Sequence, residues 1–78
     1  MAEFIKINPA DNVAVAIHDV EAGGCFDIDG VQITPKTLIP AGHKVALKDI
    51  AEGEDIVKYG FPIGHLLQAV PQGGLIDH

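Results

Sequence analysis

Seventy-eight residues carry a formal charge of −6, with 47% apolar residues, no Trp, one Tyr and three Phe. A chain of this size supports one core and buries only roughly 60% of its unfolded surface, so residues 1–78 read as a single domain of marginal stability, built from Val, Ile, Leu and Ala. Five scattered basic residues exclude a nucleic-acid module, the lone Cys25 excludes an internal disulfide, and no apolar run reaches the roughly 20 residues of a membrane span.

The start, Met1-Ala2-Glu3-Phe4-Ile5-Lys6, lacks the charged-then-apolar layout of a signal peptide, which reads Met1 as the N-terminus and the chain as cytoplasmic. A first strand is predicted over 4–7. Pro9-Ala10-Asp11-Asn12 is turn chemistry, with Asp11-Asn12 as an Asx turn or, alternatively, an exposed amide. Residues 12–17 alternate branched residues with Ala, the pattern of a strand packed on both sides. Strands are further expected over 25–28 and 31–33, joined by the hairpin signal Asp29-Gly30, and over 44–47, 55–59 and 66–70. No window of twelve residues keeps an apolar stripe at 3.6 spacing without Gly or Pro, so at most a short helical turn is expected and the fold class is all-β.

The elements repeat. Asp19-Val20-Glu21-Ala22-Gly23 matches Asp49-Ile50-Ala51-Glu52-Gly53, and residues 29–33 match 59–63, both at an offset of 30; Ile39-Pro40-Ala41-Gly42 matches Val70-Pro71-Gln72-Gly73 one residue later. Two similar units of short strands and hairpins predict a pseudo-symmetric clip, since two copies are too few to bury a solenoid core.

One Gly turn of the four continues differently, as Gly42-His43-Lys44. Imidazole titrates near neutrality and suits an acid or base, whereas the Lys44 ammonium holds a carboxylate or phosphate as a point charge; in a strand the two face opposite ways. A surface polar pair after a turn is the plain alternative. Lys58-Tyr59-Gly60 brings a cation and a phenol to another turn and is a candidate lining of the same cleft, or else a snorkelling Lys beside a Tyr on the core's rim. A metal site of His43, Asp77 and His78 is conceivable because Gly42 and Gly73 are equivalent turns. His18, His65 and Cys25 form no ligand signature.

The blocks at 11–16, 42–47, Asp49-Ile50 and 58–64 resemble the N-terminal domain of the altronate and galactarate dehydratases, the SAF domain of the β-clip fold, in order and over nearly the whole chain. A related small domain forms a separate subunit of sulfolactate sulfo-lyase, and more distant SAF domains occur in sialic acid synthases, antifreeze proteins and a flagellar chaperone. The resemblance implies elimination of water from a sugar acid to give a 2-keto-3-deoxy acid, divalent iron as the metal, and a large catalytic domain or subunit as partner. Carried over by position, His43 and Lys44 contribute to catalysis, with Asn12, Lys58 and Tyr59 binding substrate. Altronate-type members carry His-x-His-Asn after the segment matching Gly73; this chain reads Gly73-Gly74-Leu75-Ile76-Asp77-His78, closer to the Ile-Asp of galactarate-type members, which leaves the substrate open. The rival expectations are a carboxylate- or carbohydrate-binding module and a docking or homodimerisation domain without catalysis.

Overall fold

The computed structural model describes residues 3–76. It contains eight short strands: β1 (Phe4–Ile5), β2 (Val13–Ala16), β3 (Phe26–Ile28), β4 (Val31–Ile33), β5 (Lys44–Ala46), β6 (Asp55–Lys58), β7 (Phe61–His65) and β8 (Leu75–Ile76). No helix forms among the described residues, as the interrupted apolar pattern predicts. Strands β1-β2-β5-β8 make a central antiparallel sheet, and the hairpins β3–β4 and β6–β7 stand apart from it as two-stranded sheets.

Both faces of the central sheet are covered. Alternation along β2 sends Ala14 and Ala16 into one core with Phe4, Val20, Ile28, Ile33, Ile39 and Val45, and sends Val13 into a second core with Ala46, Ile50, Ile56, Leu66 and Ile76. Hairpin β3–β4 closes the first core and β6–β7 the second, so the domain is a three-layer stack of hairpin, sheet and hairpin. The small Ala side chains on β2 let branched residues pack close on that face. Aromatic anchoring is not absent, however. Phe4 is buried and meets Phe26 edge-to-face with ring centroids 5.6 Å apart.

The two hairpins turn at Asp29-Gly30 and Tyr59-Gly60, and all four residues have positive φ, the signature of a type I′ turn. The internal repeat is present in the hydrogen bonds themselves. Val20 bridges Ile39 and Ile50 bridges Val70. Val15 faces Lys44 in the β2–β5 pair, and Val45 faces Leu75 in the β5–β8 pair. Thus β5 ends the first unit and begins the second. Each twin lies in the opposite core: Ala16 and Ala46, Val20 and Ile50, Ile39 and Val70. The step that relates the units therefore swaps the faces of the sheet.

Three sequence expectations are corrected. The strand predicted over 66–70 does not form; after β7 the chain turns, with Leu66 buried, Leu67 exposed and only Val70 bridged. Two strands form where none was expected, β7 (Phe61–His65) beside β6 and β8 at the edge of the central sheet. The extra residue of the second unit is Ile63, which forms a β-bulge where Val57 faces Pro62 and Ile56 faces Gly64. The buried Ile33 is accordingly the twin of Gly64, not of the exposed Ile63.

Candidate functional site

The approach to β5 is fixed by backbone bonds before any side chain is considered. His43 N–H donates to Pro40 O at 3.0 Å across Ala41 and Gly42, and Gly42 has φ +83°, so the reversal is a type II turn that needs glycine at its third position. The Asp19 carboxylate accepts Ala41 N–H at 2.8 Å, tying the turn to the first unit. Gly42 N–H donates to Ala16 O at 2.8 Å, and Ala16 N–H donates to His43 O at 2.9 Å. The His43 backbone is thereby held on both sides while its ring stands in solvent, with Nδ1 3.5 Å from Ala41 O.

Lys44 follows on the second face of the sheet. Its register partners are Val15 and Ile76, and its side chain is half-buried. Lys44 forms no ion pair among the described residues, whose salt bridges are His18–Glu3 and Lys48–Glu54. Its twin in the first unit is Ala14, fully buried in the first core. An ammonium replaces a core methyl, and the sheet beneath it is apolar. A half-desolvated cation of this kind attracts an anion more strongly than a fully hydrated one.

Asn12, Lys58 and Tyr59 lie at the other end of the sheet. Asn12 O accepts Leu47 N–H at 2.9 Å, whereas His43 bonds to Ala16, so β2 separates the two groups by about 13 Å at roughly 3.3 Å per residue. Lys44 lies nearer, opposite Val15 and three residues or about 10 Å along β2 from Asn12. Asn12 is buried and its amide is engaged, Oδ1 accepting Val57 N–H at 2.8 Å and Nδ2 donating to Asp55 O at 2.9 Å. It fills the ladder of β6 beside the bulge. Lys58 Nζ stands 4.9 Å from the centroid of the exposed Tyr59 ring, a cation–π pair at the hairpin tip.

Asp11 buttresses that tip. Burial raises its pKa, but the backbone N–H groups of Gly60, Asn8, Tyr59 and Ile7 outweigh this and hold the carboxyl below the usual aspartate range. The shortest of these bonds, from Gly60 N–H to Oδ1, is 2.8 Å.

The equivalent turns at Gly42 and Gly73 open at opposite ends of β5. Gly42 precedes the strand, whereas Gly73 N–H donates to Ala46 O at its far end, because β5 and β8 run antiparallel. Asp77 and His78, named with His43 as metal candidates, lie outside the described residues. Among the described residues no group of three or more His, Cys, Asp or Glu side chains is placed to hold a metal.

One pair at the His43 end had no signal in the sequence. His18 Nε2 lies 2.6 Å from Glu3 Oε1, and Ile17 N–H donates to Glu3 O. Fifteen positions separate the two residues along the chain, and only the β1–β2 pairing brings them together. A carboxylate that orients an imidazole is a common acid–base arrangement.

The profile of the altronate/galactarate dehydratase SAF domain matches residues 2–78. The chain is similar to the altronate dehydratase of Bacillus subtilis, with 48% identity over 73 residues that cover 94% of this chain and 15% of the relative. It is 42% identical over 78 residues to the galactarate dehydratase (L-threo-forming) of Escherichia coli, covering 97% of this chain and 14% of that relative. It is 37% identical over 78 residues to (2R)-sulfolactate sulfo-lyase subunit alpha of Chromohalobacter salexigens, covering 91% of this chain and 83% of the relative. The chain thus spans about a seventh of the two dehydratases, but most of the sulfo-lyase subunit.

Proposed function

The chain belongs to the altronate/galactarate dehydratase SAF family, and from that premise we propose that it is the accessory domain of a cytoplasmic sugar-acid hydro-lyase, placing the His43-Lys44 turn at the substrate cleft of a larger catalytic body. The observation that carries this reading is the turn: a backbone-fixed imidazole in solvent beside a half-buried ammonium with no ion pair among the described residues.

In such an elimination the proton α to the carboxylate and the β-hydroxyl leave as water, and the resulting enol tautomerises to the 2-keto-3-deoxy acid. Lys44 supplies a fixed positive charge for the substrate carboxylate and for the enolate that builds up next to it. His43, whose ring stands in solvent at the turn on the opposite face from Lys44, carries a proton to or from the reacting end of a substrate that wraps the turn. Asn12 acts through the backbone it holds in β6, and Lys58 with Tyr59 offers a second polar contact at the far end of the sheet. The described residues do not fit a divalent iron, and no step is assigned to one.

The test is made in the complete dehydratase. His43→Ala is expected to lower kcat/KM for altronate or galactarate at least ~100-fold, the range of a lost general acid or base, and Lys44→Ala to raise KM. Unchanged kcat/KM in His43→Ala would falsify the assignment. A second reading, a separate small subunit or carboxylate-binding module, is favoured by the 83% coverage of the sulfo-lyase subunit. Calorimetric titration of the 78-residue chain with altronate, galactarate and (2R)-sulfolactate separates the two, since binding without a partner supports the module.

A further inference from the structure

The internal repeat provides a control for reading the surface. At equivalent positions the first unit carries Asp27, Asp29, Gln32 and Lys36, while the second carries Val57, Tyr59, Pro62 and Leu67. Four polar positions around one hairpin have become apolar or aromatic around its twin. The bulge adds Ile63, and Phe61 replaces Val31, which packs on the first core. Tyr59, Phe61, Ile63 and Leu67 are 53, 70, 44 and 80% exposed. Folding alone does not call for this, because the polar hairpin β3–β4 covers its own core equally well.

We infer that the β6–β7 hairpin and its exit at Leu67 form the docking surface for the large body of the dehydratase, an inference that rests on the accessory-domain reading above. Three observations select this occupant over a second copy. The four side chains present on the order of 500 Å² at most, short of the roughly 800 Å² per partner that a standard interface between separate molecules buries. A covalently linked body needs less, since linkage supplies a high effective concentration. The charge of −6 on each chain opposes self-association and favours a partner with cations around its apolar face. Finally, Pro62 removes a ladder donor and the bulge interrupts the edge of β7, which blunts strand-to-strand pairing of two copies.

The experiment is carbene footprinting of two samples: the 78-residue chain alone, and the Bacillus subtilis altronate dehydratase with its matching segment replaced by this chain. Labelling of Phe61 and Leu67 is expected to fall at least threefold in the hybrid, while β3–β4 stays labelled. Phe61→Ser with Leu67→Ser should leave the isolated chain's Tm unchanged and restore labelling of Tyr59 in the hybrid. Unchanged labelling in a hybrid that still dehydrates altronate overturns the docking surface and leaves the functional reading standing. Protection that appears in the isolated chain as its concentration rises also overturns it, in favour of a second copy. Protection in a hybrid without turnover supports the docking surface and counts against the catalytic reading.

Discussion

Asp11 shows how much a single carboxylate does in a domain this small. Its oxygens accept the N–H groups of Gly60 and Asn8, so it joins the β1–β2 connection to the tip of β6–β7. Because its folded-state pKa is depressed, its contribution is fully present above the unfolded value of about 3.9 and is lost as the pH falls through the lower folded value. Asp11→Asn is expected to cost about 1–3 kcal/mol at pH 7. Its deficit in urea midpoint should shrink as the pH drops through that window, and a deficit constant with pH would refute the assignment. Asn12→Ala strands Val57 N–H and Asp55 O, and about 2 kcal/mol or more is expected in the same assay. The turn before β2 is legible from residue type, but the Asx bond expected at Asp11-Asn12 is made by Asn8, whose Oδ1 accepts Ala10 N–H, while Asp11 accepts Asn8 N–H. The distant partners, Gly60 at the hairpin tip for Asp11 and Asp55 and Val57 of β6 for Asn12, are not legible, because only the tertiary pairing specifies them.

At the scale of elements, the Gly turns divide by what surrounds them. Gly53 has φ +81° and open space where a Cβ would stand, so Gly53→Ala carries only the left-handed penalty of about 1–2 kcal/mol. Gly73 has a similar φ of +85°, but a Cβ there would fall on the carbonyl oxygen of Thr34. Gly73→Ala is therefore expected to lose more stability than Gly53→Ala by about 2 kcal/mol or more in thermal melts, and equal losses would contradict the packing described. The β3–β4 hairpin is legible from Asp29-Gly30, whereas no strand is expected over 61–65, where Pro62 and Gly64 break the pattern that β7 nevertheless adopts. The strand expected over 66–70 failed because a short apolar run does not distinguish a strand from a bridged turn, and alternation there is broken by the exposed Leu67. Strand β8 escaped notice since two residues carry no period. Ile63 is the insertion, so its deletion should leave a hairpin with the register of β3–β4 and cost under about 1 kcal/mol. A larger loss would mean that the bulge is required for folding.

Across the whole molecule, the two cores share one sheet and so share one transition. Ile33→Ala in the first core and Ile56→Ala in the second each remove a fully buried side chain and are expected to cost about 2–5 kcal/mol. Hydrogen exchange should show both hairpins opening together in either variant; independent opening of one hairpin would show that the layers are separable. The all-β class and the duplication follow from sequence, as does the Gly turn that displays His43, whereas the distance between His43-Lys44 and Lys58-Tyr59 depends on sheet order, which no local pattern encodes. The shared strand has a further consequence, in mutational tolerance. Residues of β5 serve as the last strand of one unit and the first of the next, so Val45 must fit Ala14 on one side and Leu75 on the other, and Ala46 must fit beside Val13. A saturation scan of the domain should find Val45 and Ala46 among its least permissive positions. Lys44, between the same neighbouring strands, should accept small apolar residues without loss of folding and so separate selection for activity from selection for structure at one site.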